Sequence, residues 1–223
     1  SENSICSYGY AWDTAITLSA RPEPGYAFSH WEENGIIVST EREYCFLAEG
    51  SRELVPVFER LRFPIGDGTF SDRTLSMDFG ANWSYGECPV GVDKIHIGID
   101  ISATANEVIK AAGSGKIMLI FEDLSENSWG WCIVIDHGQY TTTYWHLNDP
   151  RNDGIYTGAT VIKGQNIGTV KYLPNNTHFH FGIRNHTYTN DNIPNAGALP
   201  VDDCGIYPAY PELFIDPSLL TYE

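Results

Sequence analysis

Histidine and aspartate recur at alternate positions in three short runs of the sequence, in a pattern that suggests shared chemistry. The residues concerned are His96, Asp100, His146, His178 and His180. Imidazole and carboxylate groups are the ligands of catalytic zinc sites, which use three protein ligands and leave a fourth position for water. Bound water then has a pKa of about 7, so that hydroxide is available near neutral pH. One zinc ion could be held by His96, Asp100 and either His178 or His180, while the remaining histidines orient water and stabilise an oxyanion.

The first run must bend if its two polar residues are to share one ion. Residues 95–101 carry isoleucine at every odd position, which predicts a strand with one buried face and with His96, Gly98 and Asp100 on the other. Positions four apart on a straight strand are separated by roughly 13 Å, which is long for two ligands of one ion. We therefore expect His96 near the entry of the strand and a curvature that Gly98 allows.

The second and third runs predict two more strands that present histidine on one face. In residues 177–183 the alternation places the phenylalanines in the core and His178 and His180 together on the opposite face, roughly 7 Å apart. In residues 140–147 it predicts one face that carries three polar residues. These are Thr142, Tyr144 and His146. Three strands would then each offer imidazole or carboxylate on a single side of a sheet.

Of the other histidines, His30 and His186 lack a second candidate ligand beside them, and His137 falls in an Asp-His-Gly turn signal. A lone histidine on a half-exposed strand is usually a surface residue or a hydrogen-bonded one. This interpretation applies to His30, His137 and His186.

Composition excludes several classes of function. The chain has 223 residues, 29 acidic against 13 basic side chains and a net charge of −16, which argues against binding nucleic acid or anionic membrane by charge. No apolar run approaches the roughly 20 residues of a membrane span. The five cysteines include no C-x-x-C pair, so a thiolate zinc site is not expected. The chain has no initiator methionine and no leader, and we expect a processed or trimmed fragment.

Residues 1–60 and 61–223 differ in pattern, which predicts two domains and a mainly β fold. Residues 1–60 contain five strand-like runs separated by turn signals. They resemble the internalin B-repeat-like modules of bacterial surface proteins. The matching segments are Ala20-Arg21-Pro22, Gly25-Tyr26-Ala27-Phe28, Trp31-Glu32-Glu33-Asn34-Gly35 and Pro56-Val57-Phe58-Glu59. The resemblance implies a small β-rich spacer or adhesion unit, and a generic β module with no binding role is the alternative.

Residues 61–223 predict a compact antiparallel β-sheet domain, because short strands alternate there with close turns. The ordered motifs His96-x-Gly98-x-Asp100, Tyr144-x-His146-Leu147 and His178-x-His180-Phe181 resemble the lysostaphin-type (LytM-like) zinc endopeptidases of peptidoglycan. Flanking segments of the same family pattern occur at residues 76–80, 108–117, 129–138 and 158–168. The family's Gly-rich loop before His-x-His is replaced by residues 169–176, which lack glycine.

The resemblance implies one Zn²⁺ ion and a role for each candidate residue. The implied zinc ligands are His96, Asp100 and His180. His146 and His178 would flank the zinc-bound water and the scissile carbonyl, with either one as general base, and Tyr144 would contact substrate.

The expected protein is a secreted metallo-endopeptidase that hydrolyses peptide bonds of bacterial peptidoglycan through a zinc-activated water. Its expected location is extracellular or cell-wall associated, with peptidoglycan peptides as partners. Two alternatives remain open at this point. One is a catalytically idle wall-binding or scaffold protein with the same fold, and the other is a zinc peptidase that acts on non-wall peptides.

Overall fold

Strands make up nearly all the regular structure in the part of the chain that the structure describes. The computed structural model describes residues 9, 11–70, 73–83, 94–123, 129–188 and 214–223. The strands are β1 (Ala15–Ser19), β2 (Tyr26–Glu33), β3 (Ile36–Ser39), β4 (Glu43–Leu47), β5 (Val55–Arg60), β6 (Leu75–Met77), β7 (Asn82–Trp83), β8 (Lys94–Ile95), β9 (Gly98–Ser102), β10 (Val108–Lys110), β11 (Gly115–Asp123), β12 (Gly130–Asp136), β13 (Thr141–Leu147), β14 (Thr160–Val161), β15 (Asn166–Thr169), β16 (His178–Arg184) and β17 (Phe214–Ile215). Two short 3₁₀ turns occupy Pro150–Asp153 and Pro217–Leu219. None of the helical segments in these ranges has the length and apolar character needed to cross a membrane.

An antiparallel sheet of eight strands positions the candidate residues. Its strands run in the order β14-β11-β12-β13-β16-β9-β6, and β17 pairs with β16. Every pairing in this sheet is antiparallel, which confirms the predicted fold class. Because β13, β16 and β9 are adjacent, the three histidine-bearing segments lie side by side at the centre of the sheet.

The two faces of this sheet carry different side chains. Tyr144, Phe181 and Ile99 are paired across β13, β16 and β9, and all three are fully buried in the main hydrophobic core. The next row of partners, Trp145, His180 and Asp100, faces the opposite side. Alternation therefore places the polar row next to an apolar one, as the sequence predicts for residues 95–101 and 177–183.

The predicted bend in the first run is confirmed. Regular pairing stops after Ile95 at the end of β8 and resumes at Gly98 at the start of β9, so His96 lies in the break. The His96 backbone bonds to the chain before β7, because its N–H donates to the Ala81 carbonyl at 2.9 Å. This break brings Nε2 of His96 to 3.1 Å from Oδ1 of Asp100.

The prediction that His146 shares a face with Thr142 and Tyr144 is wrong, because β13 contains a bulge. Trp131 of β12 pairs with Leu147 of β13, and residue 133 of β12 pairs with Tyr144. The chain advances by two residues in β12 and by three in β13 between these pairs, so β13 has one extra residue there. His146 has a φ of +66°, in the left-handed region. A bulge of this kind redirects a side chain, and here it moves His146 to the face of Trp145 and His180.

The N-terminal strands form two small sheets that contact the main domain. β1 pairs with β4, and β2 lies between β3 and β5. Ala27 of β2 is a member of the main core, and the Tyr140 hydroxyl donates to the Tyr26 carbonyl at 2.6 Å. Leu61 is fully buried, and its N–H donates to the Gly25 carbonyl at 2.8 Å. The predicted boundary at about residue 61 thus falls at a packed junction, and the division into domains 1–60 and 61–223 stays a prediction.

Candidate metal centre

Three potential ligand atoms converge on one point on the polar face of the sheet. Nε2 of His96 lies 3.0 Å from Nδ1 of His180, and Oδ1 of Asp100 lies 3.1 Å and 2.9 Å from these two nitrogens. His96 and His180 are each 1% exposed, and Asp100 is 8% exposed. The structure thus brings together the three residues for which the resemblance to lysostaphin-type enzymes implies a ligand role.

The tautomer of His96 suits metal binding. Its Nδ1 lies 3.0 Å from the Asp78 carbonyl oxygen, which can only accept, so Nδ1 carries a proton. Nε2 is then left with its lone pair, directed at Asp100 and His180. A hydrogen bond of this type orients metal-bound histidines in proteins generally.

The spacing and chemistry of the three atoms fit a zinc ion. Ligand atoms of a tetrahedral site with bonds of about 2.1 Å lie about 3.4 Å apart, close to the separations observed here. A carboxylate and imidazole lone pairs repel one another at such distances unless a proton or a cation lies between them. The set can therefore hold a cation that takes nitrogen and oxygen ligands, and zinc has this preference.

Two further histidines lie next to this group on the side of Oδ2 of Asp100. Nε2 of His178 is 3.5 Å from Oδ2, and the rings of His146 and His178 are 4.4 Å apart between centroids. Each ring is oriented through Nδ1, which donates to a backbone carbonyl. His146 donates to Trp129 at 2.9 Å, and His178 donates to Asn176 at 2.8 Å. Both rings therefore present Nε2 to the site.

Burial and the neighbouring rings set the protonation of the site. Burial alone would raise the pKa of Asp100, but the close approach of His180 and His96 outweighs it and holds this pKa well below its usual range. Burial, reinforced by the proximity of His178, lowers the pKa of His146 to about 3. At neutral pH Asp100 is a carboxylate and His146 is a neutral ring with a free lone pair at Nε2.

Tyr144 does not lie in the site, which corrects the prediction that it contacts substrate. Its side chain is fully buried in the main core, and its hydroxyl oxygen accepts from the Ala112 N–H at 2.9 Å. Because Tyr144 precedes the bulge, it remains on the core face while His146 does not. His137 also lies in the interior, where Nδ1 donates to the Ser114 carbonyl at 2.8 Å. His186 is exposed.

The sequence did not reveal how the site is supported. The backbone carbonyls of Asp78, Trp129 and Asn176 orient three of the rings, and Trp145 stacks on His146 at 5.5 Å. A carbonyl is present at every residue and leaves no signal in the sequence. Trp145 was detectable, because alternation from Tyr144 places it on the polar face.

A Cβ atom added at Gly98 would lie 2.6 Å from His180 Nε2 and 2.6 Å from the Phe181 carbonyl oxygen. This residue thus allows His180 to approach closely, as well as lying next to the bend. No other residue type fits beside the ring without moving it.

Part of the sequence matches a family of known peptidases. Residues 94–192, which include all five candidate residues, match Peptidase family M23. No curated protein matches the chain significantly.

Similar solved structures include a zinc containing peptidase from Vibrio cholerae, at 20% identity and a TM-score of 0.46, over 66% of this chain and 45% of that one. The catalytic domain of the antimicrobial peptidase lysostaphin from Staphylococcus simulans has 21% identity and a TM-score of 0.41, over 57% and 88%. Helicobacter pylori Csd3 has 21% identity and a TM-score of 0.43, over 69% and 42%. The chain spans less than half the length of the Vibrio and Helicobacter proteins that it matches.

Proposed function

We propose that the chain is a secreted zinc metallo-endopeptidase that hydrolyses peptide bonds of bacterial peptidoglycan. The observation that carries this proposal is the convergence of His96, Asp100 and His180, whose ligand atoms lie 2.9–3.1 Å apart in a buried site. The match of residues 94–192 to Peptidase family M23 supports the peptidase chemistry. Peptidoglycan as substrate and an extracellular location are supported by the resemblance of the ordered motifs to lysostaphin-type enzymes.

His96, Asp100 and His180 would hold a zinc ion, which would supply a Lewis acid that polarises a carbonyl and lowers the pKa of bound water to about 7. Residues of the protein prepare the ligands for this role. The Asp78 carbonyl fixes the tautomer of His96 and so keeps its Nε2 available as a ligand. The depressed pKa of Asp100 keeps it ionised, so that its carboxylate offsets the charge of the cation.

Of His146 and His178, one transfers protons as the general base at its Nε2 atom, and the other stabilises the oxyanion. Both rings keep Nδ1 on a carbonyl, so Nε2 is the atom that accepts a proton and returns it. One positioned acid or base of this kind contributes about 10²–10⁴-fold to a rate. Stacking of Trp145 on His146 restricts the orientation of the ring.

The acidity of the chain constrains how it recognises its substrate. Peptidoglycan is often anionic, and a net charge of −16 gives no attraction to it. Long-range repulsion is screened within about 8 Å at physiological salt. We therefore expect recognition through the shape and hydrogen bonds of the site, with residues 1–60 serving as a spacer or adhesion unit.

The test is digestion of purified peptidoglycan of defined structure, followed by mass spectrometry of the new termini. We expect new amino and carboxyl termini from one class of peptide bond, and we expect a chelator to abolish the cleavage. His180→Ala should lose the metal. His146→Ala and His178→Ala should retain it and lose about 10²–10⁴-fold in turnover.

His186→Ala is the matched control, because His186 is exposed and its substitution should change neither metal content nor turnover. If the protein binds zinc but leaves the purified peptidoglycan uncut, the scaffold alternative is favoured. Cleavage of free peptides alone would favour a peptidase of non-wall substrates. Wild-type protein that binds no zinc would refute the mechanism.

A further inference from the structure

The N-terminal strands β1–β5 meet the main domain through apolar side chains that are buried completely. Ala27 of β2 and Leu61 are both members of the main hydrophobic core, and each is 0% exposed. Both lie against Gly113, where an added Cβ would be 2.7 Å from Cβ of Ala27 and 2.5 Å from Cδ2 of Leu61. The two parts of the chain therefore approach each other so closely at Gly113 that no side chain fits between them.

Hydrogen bonds flank this apolar contact. The buried Tyr140 hydroxyl donates to the Tyr26 carbonyl at 2.6 Å, and the Ser114 hydroxyl donates to Oε1 of Glu59 at 2.9 Å. Tyr26 belongs to β2 and Glu59 to β5, so two of the N-terminal strands take part. Their partners lie before β11 and between β12 and β13, at one end of the main sheet.

The turn before β4 and the last residue of the chain extend the junction. A Cβ added at Gly138 would lie 2.6 Å from Nη1 of Arg42, so this arginine packs directly on the turn between β12 and β13. The Glu223 N–H donates to the Leu61 carbonyl at 2.9 Å, and Oε1 of Glu223 lies 3.5 Å from Nε of Arg60. Contacts at several separate points prevent the N-terminal strands from pivoting about a single linker.

The N-terminal strands have only a small core of their own. Among the described residues, their separate cluster of buried apolar side chains comprises Ala20, Phe28 and Trp31. A unit of about 60 residues buries too little apolar surface to be more than marginally stable alone. Interfaces between independent domains are also more polar and permit relative motion, whereas the contact at Gly113 has the completely buried apolar character of a domain interior.

We propose that residues 1–60 and 61–223 form one cooperative folding unit, with the N-terminal strands as a rigid part of the main domain. The boundary at about residue 61 then separates two sequence patterns and not two folding units. Tyr140 at the junction precedes His146 by six residues, a distance of roughly 20 Å along a strand. The N-terminal strands are thus held at a fixed distance and orientation from the candidate metal centre. This inference does not depend on the proposed function.

The test is native-state hydrogen exchange of the full chain, with Trp31→Ala as the perturbation. Trp31 is 5% exposed, and loss of its ring should speed exchange of the most protected amides of β2 and β5 by about 10²–10⁴-fold. In one cooperative unit the most protected amides of β13 and β16 exchange only when the whole unit unfolds, so they should accelerate by the same factor. The matched control Trp12→Ala, at a residue 71% exposed, should change neither set.

Acceleration confined to β2 and β5 would overturn the inference, and so would two separate calorimetric transitions in the wild type. Trp31→Phe makes the same comparison with a smaller perturbation, should the alanine variant not fold. Gly113→Ala should also accelerate both sets of amides, while Gly50→Ala, with nothing within 4 Å of its Cβ, should accelerate neither.

A double variant tests the close contact itself. Gly113→Ala combined with Ala27→Gly should be less destabilised than the sum of the two single variants, because the two Cβ atoms no longer meet. Additive losses of stability would show that the two parts of the chain do not meet at Gly113, and would overturn the inference. None of these measurements depends on metal or activity, so a negative result would leave the proposed function standing.

Discussion

Substitution of Gly98 by alanine tests whether the metal site depends on close approach of the backbone of β9 to His180. The added Cβ would lie 2.6 Å from His180 Nε2, 2.7 Å from His180 Cε1 and 2.6 Å from the Phe181 carbonyl oxygen. An ordinary contact begins at 3.4 Å, so these atoms must separate by about 0.8 Å. The carbonyl belongs to the central strand β16 and cannot move freely, so the imidazole ring must take most of the displacement.

A shift of this size is large for a metal ligand. Ligand distances in a working site hold to within about 0.2 Å, so a displaced His180 would coordinate poorly. We expect Gly98→Ala to weaken zinc binding by about 10–100-fold, the range found when groups that orient ligands are altered. Forcing the Cβ into the sheet should also cost about 1–3 kcal/mol of stability.

Competition against a chelator of known affinity measures the zinc affinity, and urea unfolding of the metal-free protein measures the stability. Gly50→Ala is the matched control, because nothing lies within 4 Å of a Cβ at that position. The control should match the wild type in both measurements. Zinc affinity of wild-type strength in Gly98→Ala would refute the argument that this glycine makes room for the His180 ring.

Three further substitutions, at His137, Leu61 and Asp136, test how buried residues outside the metal site contribute to stability. Burial lowers the pKa of His137 from its ordinary 6.5 to about 4, so the unfolded chain binds the proton first and stability falls as pH drops from 6.5 through 4. When the pH is lowered from 7 to 4, the free energy of unfolding measured in urea should fall by about 3 kcal/mol less in His137→Gln than in the wild type. An equal fall in both proteins would contradict this account. Leu61→Ala should cost about 2–5 kcal/mol, because the residue is fully buried, whereas Leu219→Ala, 80% exposed, should cost less than about 0.5 kcal/mol in the same assay. Asp136→Ala should cost about 1–3 kcal/mol, because its carboxylate accepts hydrogen bonds from Thr187 Oγ1 and the Tyr188 N–H, and zinc affinity should not change.

The parts of the fold that the sequence predicted are those where side chains alternate without interruption. Phe179 and Phe181 are fully buried, while His178 and His180 lie on the other face. A period of two in hydrophobicity determines the face of every residue, provided that the strand is regular. The bend before Gly98 was also predictable, because one ion cannot span the length of a straight strand.

The same rule did not predict on which face of the sheet each side chain of residues 140–147 lies. Alternation placed Tyr144 and His146 on one face, and the bulge separates them. Whether a strand forms a bulge depends on the residues that pair with it in the neighbouring strand. Those residues are distant in sequence, so the strand's own residues do not reveal the bulge. A φ of +66° is uncommon for any residue other than glycine, although histidine is enriched among the exceptions, so the residue type alone did not signal a left-handed backbone.

The conformation of His146 suggests how the site is held ready before any ligand arrives. A non-glycine residue at this φ costs on the order of 1–3 kcal/mol and persists only where its surroundings determine it. Here its carbonyl accepts from the Lys171 N–H at 2.8 Å, and its Nδ1 donates to the Trp129 carbonyl at 2.9 Å. Gly130, with a φ of +95°, follows that carbonyl, and a Cβ there would lie 2.6 Å from the Leu147 carbonyl oxygen. Because these contacts fix both the backbone and the ring, Nε2 of His146 is aimed at the site by the fold itself and not by the metal.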